Sequence, residues 1–254
     1  MKNKQWFHQQ ITYLKEGSQT VFSIKDNLKE LGALTTKEYG LLALMLLATI
    51  LSSVLSGGLG TTMGIITLVC SIATALNLIL IDRGFITNYI WGILAALVWL
   101  IIAFENRLFG DIASQLYYFV MQFIGIIEWQ KSKSQRHSDF VESKSINKTM
   151  AAIMTVVTIV VYLFIVYTSY QLGGNQVWLD AALLPLALVA QLLMTYGYKS
   201  QWIVWIIINA LNVVIWSIQL SQTDSSSTVS MLVLQIVMLI NSLYGAYVWY
   251  KQAQ

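Results

Sequence analysis

Charge is scarce in this chain. Its 254 residues hold 15 Lys and Arg against 12 Asp and Glu, so charged residues make up 11% of the total, where a soluble domain carries about a quarter. Cysteine and proline occur once each and histidine twice. A lone Cys70 excludes an internal disulfide. His8 and His137 both lie outside the apolar runs, which leaves the interior without a metal-ligand cluster or a nucleophile–base pair. No acidic residue interrupts the middle of an apolar run: Asp82, Glu105, Asp111, Glu128, Asp180 and Asp224 all stand at run ends or in loops. A phosphate-binding glycine loop is missing too, because Gly57, Gly58 and Gly60 read as a tight turn. Residues 1–38 contain no continuous apolar stretch of signal-peptide type, and nothing alternates in the pattern of an outer-membrane barrel.

What is abundant is apolar surface. Hydrophobic residues make up 57% of the chain and the mean hydropathy is +0.65, values of an integral membrane protein. A bilayer core needs about 20 apolar residues per helical span, and eight runs qualify, at 39–58, 61–81, 86–104, 111–129, 150–171, 178–197, 201–220 and 230–250. Charge placement orients them, because Lys and Arg stay on the cytoplasmic side. With eight spans and a cytoplasmic N-terminus, 14 of the 15 basic residues fall in inner segments and only Arg107 lies outside. Both termini are therefore expected in the cytoplasm, and the +3 net charge reflects membrane orientation, not a nucleic-acid partner. Pro185, inside the sixth run, removes one backbone donor and predicts a kink. In the leader, Trp6, Phe7, Ile11 and Leu14 share a helical face beside Lys4 and Lys15; this reads equally as an interfacial helix or as a soluble tail with some local helix.

The chain also resembles itself. Shifted by 120, Gln115 meets Gln235, Gly125 meets Gly245, Trp129 meets Trp249 and Lys131 meets Lys251. One run earlier, a shift of 114 puts Trp91 on Trp205 and Asn88 on Trp202, and Asn77 falls on Gln191. The second to fourth runs thus match the sixth to eighth, with the fifth as linker. The fold class is an all-α membrane protein of about eight transmembrane helices in a 1 + 3 + 1 + 3 order. An odd linker makes the two triplets parallel repeats about an axis along the membrane normal. The expected segments are a cytoplasmic leader at 1–38, an extra N-terminal helix at 39–58, a first repeat at 61–129, a basic loop at 130–149, a linker helix at 150–171 and a second repeat at 178–251.

The seventh run carries a polar stripe. At about 100° per residue, Trp202, Trp205, Asn209, Asn212 and Trp216 fall within roughly 80° of arc. Asn209 comes out about 14 Å deep at a 1.5 Å rise, where an unpaired amide costs several kcal/mol. One reading is helix glue, with Trp202 and Trp216 in the two interfacial belts. The other is a site in which two indole faces hold a flat ring while Asn209 reads its polar edge, with a flat cation favoured by cation–π attraction. Asn241, from a similar depth in the last run, adds a second amide; Gln235 lies farther along that run. Proton-driven pumps usually keep titratable groups inside the membrane, so their absence from mid-run favours facilitated movement.

Four stretches, "ITNYIWG" (86–92), "LFGDIASQLYYFVMQFIG" (108–125), "QLLMTYGYKSQWIVWIIIN" (191–209) and "INSLYGAYVW" (240–249), resemble the PnuC-type vitamin transporters of bacteria. The most specific element is the W-x-x-W-x-x-x-N pattern of Trp202, Trp205 and Asn209. The resemblance implies a core akin to the sugar-transporter (SWEET-like) fold in the cytoplasmic (inner) membrane. It implies a homo-oligomer of three subunits, no cofactor and no enzymatic activity. The implied function is facilitated uptake of nicotinamide riboside, an NAD precursor, which an intracellular kinase then traps by phosphorylation. It gives Trp202, Trp205 and Asn209 substrate contacts; Gln235 and Asn241 rest on their geometry and a looser similarity. Thiamine, riboflavin and deoxynucleosides remain alternative cargoes on this scaffold, and a receptor or assembly subunit that transports nothing is the reading from another class.

Overall fold

The computed structural model describes residues 2–55, 57–105, 109–171, 177–222 and 226–252. Arg107 and Asp224 lie outside them, and the side chains of Glu105, Asp111 and Asp180 are likewise not described. Ten α-helices make up the described chain, together with one 3-10 turn at Gly58–Gly60. Two belong to the leader, α1 (Lys2–Val21) and α2 (Ile24–Gly32). Eight fall on the apolar runs: α3 (Thr36–Leu55), α4 (Thr62–Asp82), α5 (Asn88–Glu105), α6 (Phe109–Arg136), α7 (Lys148–Gln171), α8 (Val177–Thr195), α9 (Gln201–Gln222) and α10 (Ser226–Gln252). Among the described residues five are long and apolar enough to cross a membrane, within α3, α4, α7, α9 and α10, and two shorter apolar helices lie in α5 and α8. α6 runs through Arg136, past the expected start of a loop at residue 130. Its last turns are held by the Glu128–Lys131 pair at 3.5 Å and by Lys133, 3.6 Å from Glu30 of the leader.

The helices pack in two sets that share the same neighbours. α5 lies between α4 and α6, α9 lies between α8 and α10, and the sets meet where α6 packs on α8 and α10 on α4. The turns within the sets also repeat. Gly84 (φ 70°) and Gly197 (φ 73°) sit in the left-handed region that ends a helix at low cost. Gly84 N–H donates to Ile81 O and Phe85 N–H to Leu80 O, while Gly197 N–H donates to Met194 O and Tyr198 N–H to Leu193 O, each at 2.9 Å. These bonds recur at an offset of 113, one less than the 114 read from the sequence, so Tyr89 and not Asn88 occupies the place of Trp202. Hydrogen bonds fix the register here, whereas apolar sequence tolerates a slip of one.

Indole donors tie the sets together. Trp129 Nε1 donates to Met194 O at 3.1 Å, and Trp249 Nε1 donates to Ile81 O at 3.0 Å. The 137–147 segment then crosses both turns: Val141 N–H donates to Gly84 O and Lys144 N–H to Gly197 O, each at 2.8 Å. A Cβ on Gly84 would stand 2.8 Å from Val141 O, so the crossing requires glycine. α7, largely exposed and apolar, packs chiefly on α8.

The leader docks on the bundle. Gly17 of α1 lets that helix approach α6 closely, since a Cβ there would stand 2.6 Å from Ile126 Cγ2. Glu30 of α2 accepts hydrogen bonds from Thr87 N–H at 3.0 Å and Thr87 Oγ1 at 2.5 Å, which satisfies donors at the start of α5. Asn27 Oδ1 accepts from Trp91 Nε1 at 3.2 Å. At the far end of α1, Trp6 is 61% exposed and Phe7 and Ile11 are also exposed, while Leu14 packs against the core. The expected apolar face is thus split between an exposed start and a docked end.

Candidate functional site

The turn at Gly197 sets the start of α9, where Gln201 N–H and Trp202 N–H donate to Tyr198 O and Lys199 O. Trp202 is therefore the second residue of the helix and points into the bundle, 2% exposed. Its ring lies over Gly245 of α10, where a Cβ would stand 2.3 Å from Trp202 Cη2. Only a glycine allows that approach. Trp202 meets Trp249 edge-on at 6.2 Å, Trp249 lies 6.1 Å from Trp129, and Trp129 meets Tyr89 at 5.1 Å. The same order is read from either end, because Tyr89 corresponds to Trp202 and Trp129 to Trp249.

Trp202, Asn209 and Asn241 are all buried, Trp202 and Asn209 of α9 against α10 and Asn241 of α10 against α4. Asn209, 4% exposed, uses its Nδ2 on Met238 O at 3.2 Å and on Ser242 Oγ at 3.3 Å. Asn241, 1% exposed, donates to Asp82 Oδ1 at 3.4 Å, and its own Oδ1 has no hydrogen-bond partner. Trp205 is half-buried against the same aromatic cluster. Gln235 is buried with its Oε1 unpartnered, but stands about 9 Å farther along α10 at the helical rise. The two indoles do not face each other across an open slot, since Trp202 is closed in by Gly245 and Trp249. A cavity of about 670 Å³ opens between the start of α3 and the end of α10 beside Lys37, Arg83 and Lys251, and another of about 10 Å³ lies between α3, α4 and α10. Neither is lined by Trp202, Trp205 or Asn209.

Sequence reasoning missed the acids. Asp82 stands at the end of α4 as its run predicts, yet it is 0% exposed, and Glu38 at the start of α3 is buried as well. Glu38 accepts from Thr35 N–H at 2.6 Å and Tyr244 OH at 2.9 Å and lies 3.7 Å from Arg83 Nε. The run-end placement of these acids stands as read, and what the structure adds is their burial. Also missed were Gln201, Gln191, Thr195 and Gln122, all buried with a side-chain polar atom unpartnered. Their signal was weak, since each is a neutral polar residue with no charge to mark it. Such unpaired groups are costly in a dry interior. Among the described residues no three of His, Cys, Asp and Glu gather as a metal site.

Several apolar helices long enough to span a bilayer, closed around uncharged amides, indoles and buried carboxylates, define a multi-pass membrane protein of transporter type. The chain belongs to the nicotinamide mononucleotide transporter family, whose model matches residues 64–251. It is 30% identical over 188 residues to the nicotinamide riboside transporter PnuC of Haemophilus influenzae, covering 72% of this chain and 78% of that one. Against the protein of that name from Neisseria mucosa it is 24% identical, covering 72% and 71%. A crystal structure titled as the vitamin B3 transporter PnuC superposes with a TM-score of 0.73 at 23% identity, covering 91% of this chain and 97% of that one. That likeness concerns the fold.

Proposed function

We propose that this protein carries nicotinamide riboside across the bacterial cytoplasmic membrane by facilitated diffusion, with both termini inside and a cytoplasmic kinase trapping the product. The observation that carries the reading is the burial of Trp202, Asn209 and Asn241, with a polar atom of Trp202 and of Asn241 left unpartnered, in a chain similar over most of its length to riboside transporters. Trp202, Trp205 and Asn209 contact the substrate, with Asn241 and Gln235 along its path. In the closed arrangement of the cluster, Trp202 must leave Gly245 or Trp249 for a ring to enter beside it. The core is read as two parallel three-helix repeats, supported by the paired turns at Gly84 and Gly197 and the exchanged indole bonds of Trp129 and Trp249. The working unit is a homo-oligomer, read as a trimer.

Purified protein in vesicles should take up labelled nicotinamide riboside without any ion gradient. Trp205→Ala and Asn209→Ala should each lower the rate at least tenfold while leaving the protein folded; normal rates in both variants reject the site. Thiamine, riboflavin and deoxynucleosides as competitors identify another cargo if one outcompetes the riboside. Buried Asp82 favours one second reading, proton-coupled uptake. Under that reading an inward proton gradient raises the accumulated level above equilibrium, and an uncoupler abolishes the rise.

A further inference from the structure

Asp82 is wholly buried, and among the described residues it is in no ion pair, while the Glu38 carboxylate acts on it as a like charge. Its Oδ1 accepts only the long 3.4 Å contact from Asn241 Nδ2, and its Oδ2 has no hydrogen-bond partner. Arg83, the next residue, lies 3.7 Å from Glu38, and no ion pair to Asp82 occurs among the described residues. The carboxylate and the edge of the Trp202 indole flank the same point, since a Cβ on Gly245 would stand 2.5 Å from Asp82 Oδ1 and 2.3 Å from Trp202 Cη2. Two further unpartnered groups, Trp202 Nε1 and Asn241 Oδ1, belong to the same cluster. A buried carboxylate without a cation is unfavourable, and it gains a partner when a solute that carries positive charge enters beside it.

We infer that Asp82 is the charge-selecting residue of this site: it favours solutes that bring a delocalised positive charge, such as a pyridinium ring, over uncharged solutes of the same shape. The inference rests on the transport reading above and adds to it a residue absent from the Trp202, Trp205 and Asn209 pattern. Asn209 and Asn241 can bond either kind of solute, because a carboxamide both donates and accepts. Only Asp82 distinguishes them by charge.

The test compares nicotinamide riboside with its 1,4-dihydro form, which keeps the ribose and the carboxamide but lacks the ring charge. Vesicles containing the wild type should take up the cationic form about tenfold faster or more, the scale of a partly screened charge contact. Asp82→Asn, nearly isosteric, should remove that preference by slowing the cation while changing the neutral form less than about threefold. Equal uptake of the two forms by the wild type overturns the inference without reference to any variant. So does an Asp82→Asn protein that elutes as a single folded species and loses both substrates equally, because that marks a packing role. If the wild type takes up neither form, it is the transport reading that fails. Tryptophan-quenching titration of the purified protein then decides the charge inference, with 1-methylnicotinamide, methylated on the ring nitrogen, as the cation and nicotinamide as its neutral counterpart. Tighter binding of the cation, lost in Asp82→Asn, supports it; equal binding overturns it.

Discussion

Gly245 is the point at which the helix interface can be tested with one carbon atom. In a helix interior alanine is favoured over glycine by about 0.5–1 kcal/mol, so Gly245→Ala would stabilise α10 if nothing stood nearby. The added Cβ would instead lie 2.3 Å from Trp202 Cη2, 2.5 Å from Trp202 Cζ2 and 2.5 Å from Asp82 Oδ1. None of these atoms can yield easily, because Trp202 is packed edge-on against Trp249 and Asp82 is buried at a helix end. Overpacking of this kind costs about 1–3 kcal/mol, which exceeds the propensity gain. We expect a net loss of about 1–2 kcal/mol, read as a lower midpoint for thermal unfolding in detergent micelles. Gly40→Ala in α3 is the matched control, since nothing lies within 4 Å of its added carbon. It should raise the midpoint, by about 0.5–1 kcal/mol of stability. Opposite signs for the same chemical change support the close α9–α10 contact; a Gly245→Ala protein as stable as the wild type, or both variants shifting together, refutes it.

Three more outcomes follow from the packing. Glu30→Ala leaves the Thr87 amide and hydroxyl and Lys133 without their acceptor, so it should destabilise the protein by about 2–3 kcal/mol and speed amide exchange at the start of α5; exchange confined to the leader would rule out the anchoring role. Trp129→Phe and Trp249→Phe each remove one buried indole bond across the two helix sets, and each should cost about 2 kcal/mol. A large loss in one and none in the other would contradict the equivalence of the two contacts. Gly125→Ala should behave like Gly245→Ala, because its Cβ would meet the Tyr89 hydroxyl at 2.3 Å.

How much of this was legible in the sequence differs between the bundle and the site. The positions of the helices on the apolar runs follow from run length alone, since a bilayer leaves the backbone no alternative to internal hydrogen bonding. The W-x-x-W-x-x-x-N stripe was legible because helical period is a local property, and the internal match was legible because Gly125, Trp129, Gly245 and Trp249 recur at one spacing. The register of the second helix in each set was read one residue off. Side-chain identity in an apolar stretch constrains register weakly, and the turn hydrogen bonds at Gly84 and Gly197 decide it.

The sequence by itself determined a helical membrane protein, where its apolar helices lie, and that one face of α9 collects indoles and amides. Only the tertiary structure decided what those groups meet: that Trp202 lies over Gly245, that Asn209 bonds α10, and that Asp82 is sealed beside them. The reason is physical. Helix formation and bilayer length act within about twenty neighbouring residues, whereas the burial of Asp82 depends on Asn241 and Gly245, which are far away in the chain and reach it only when α10 packs against α4.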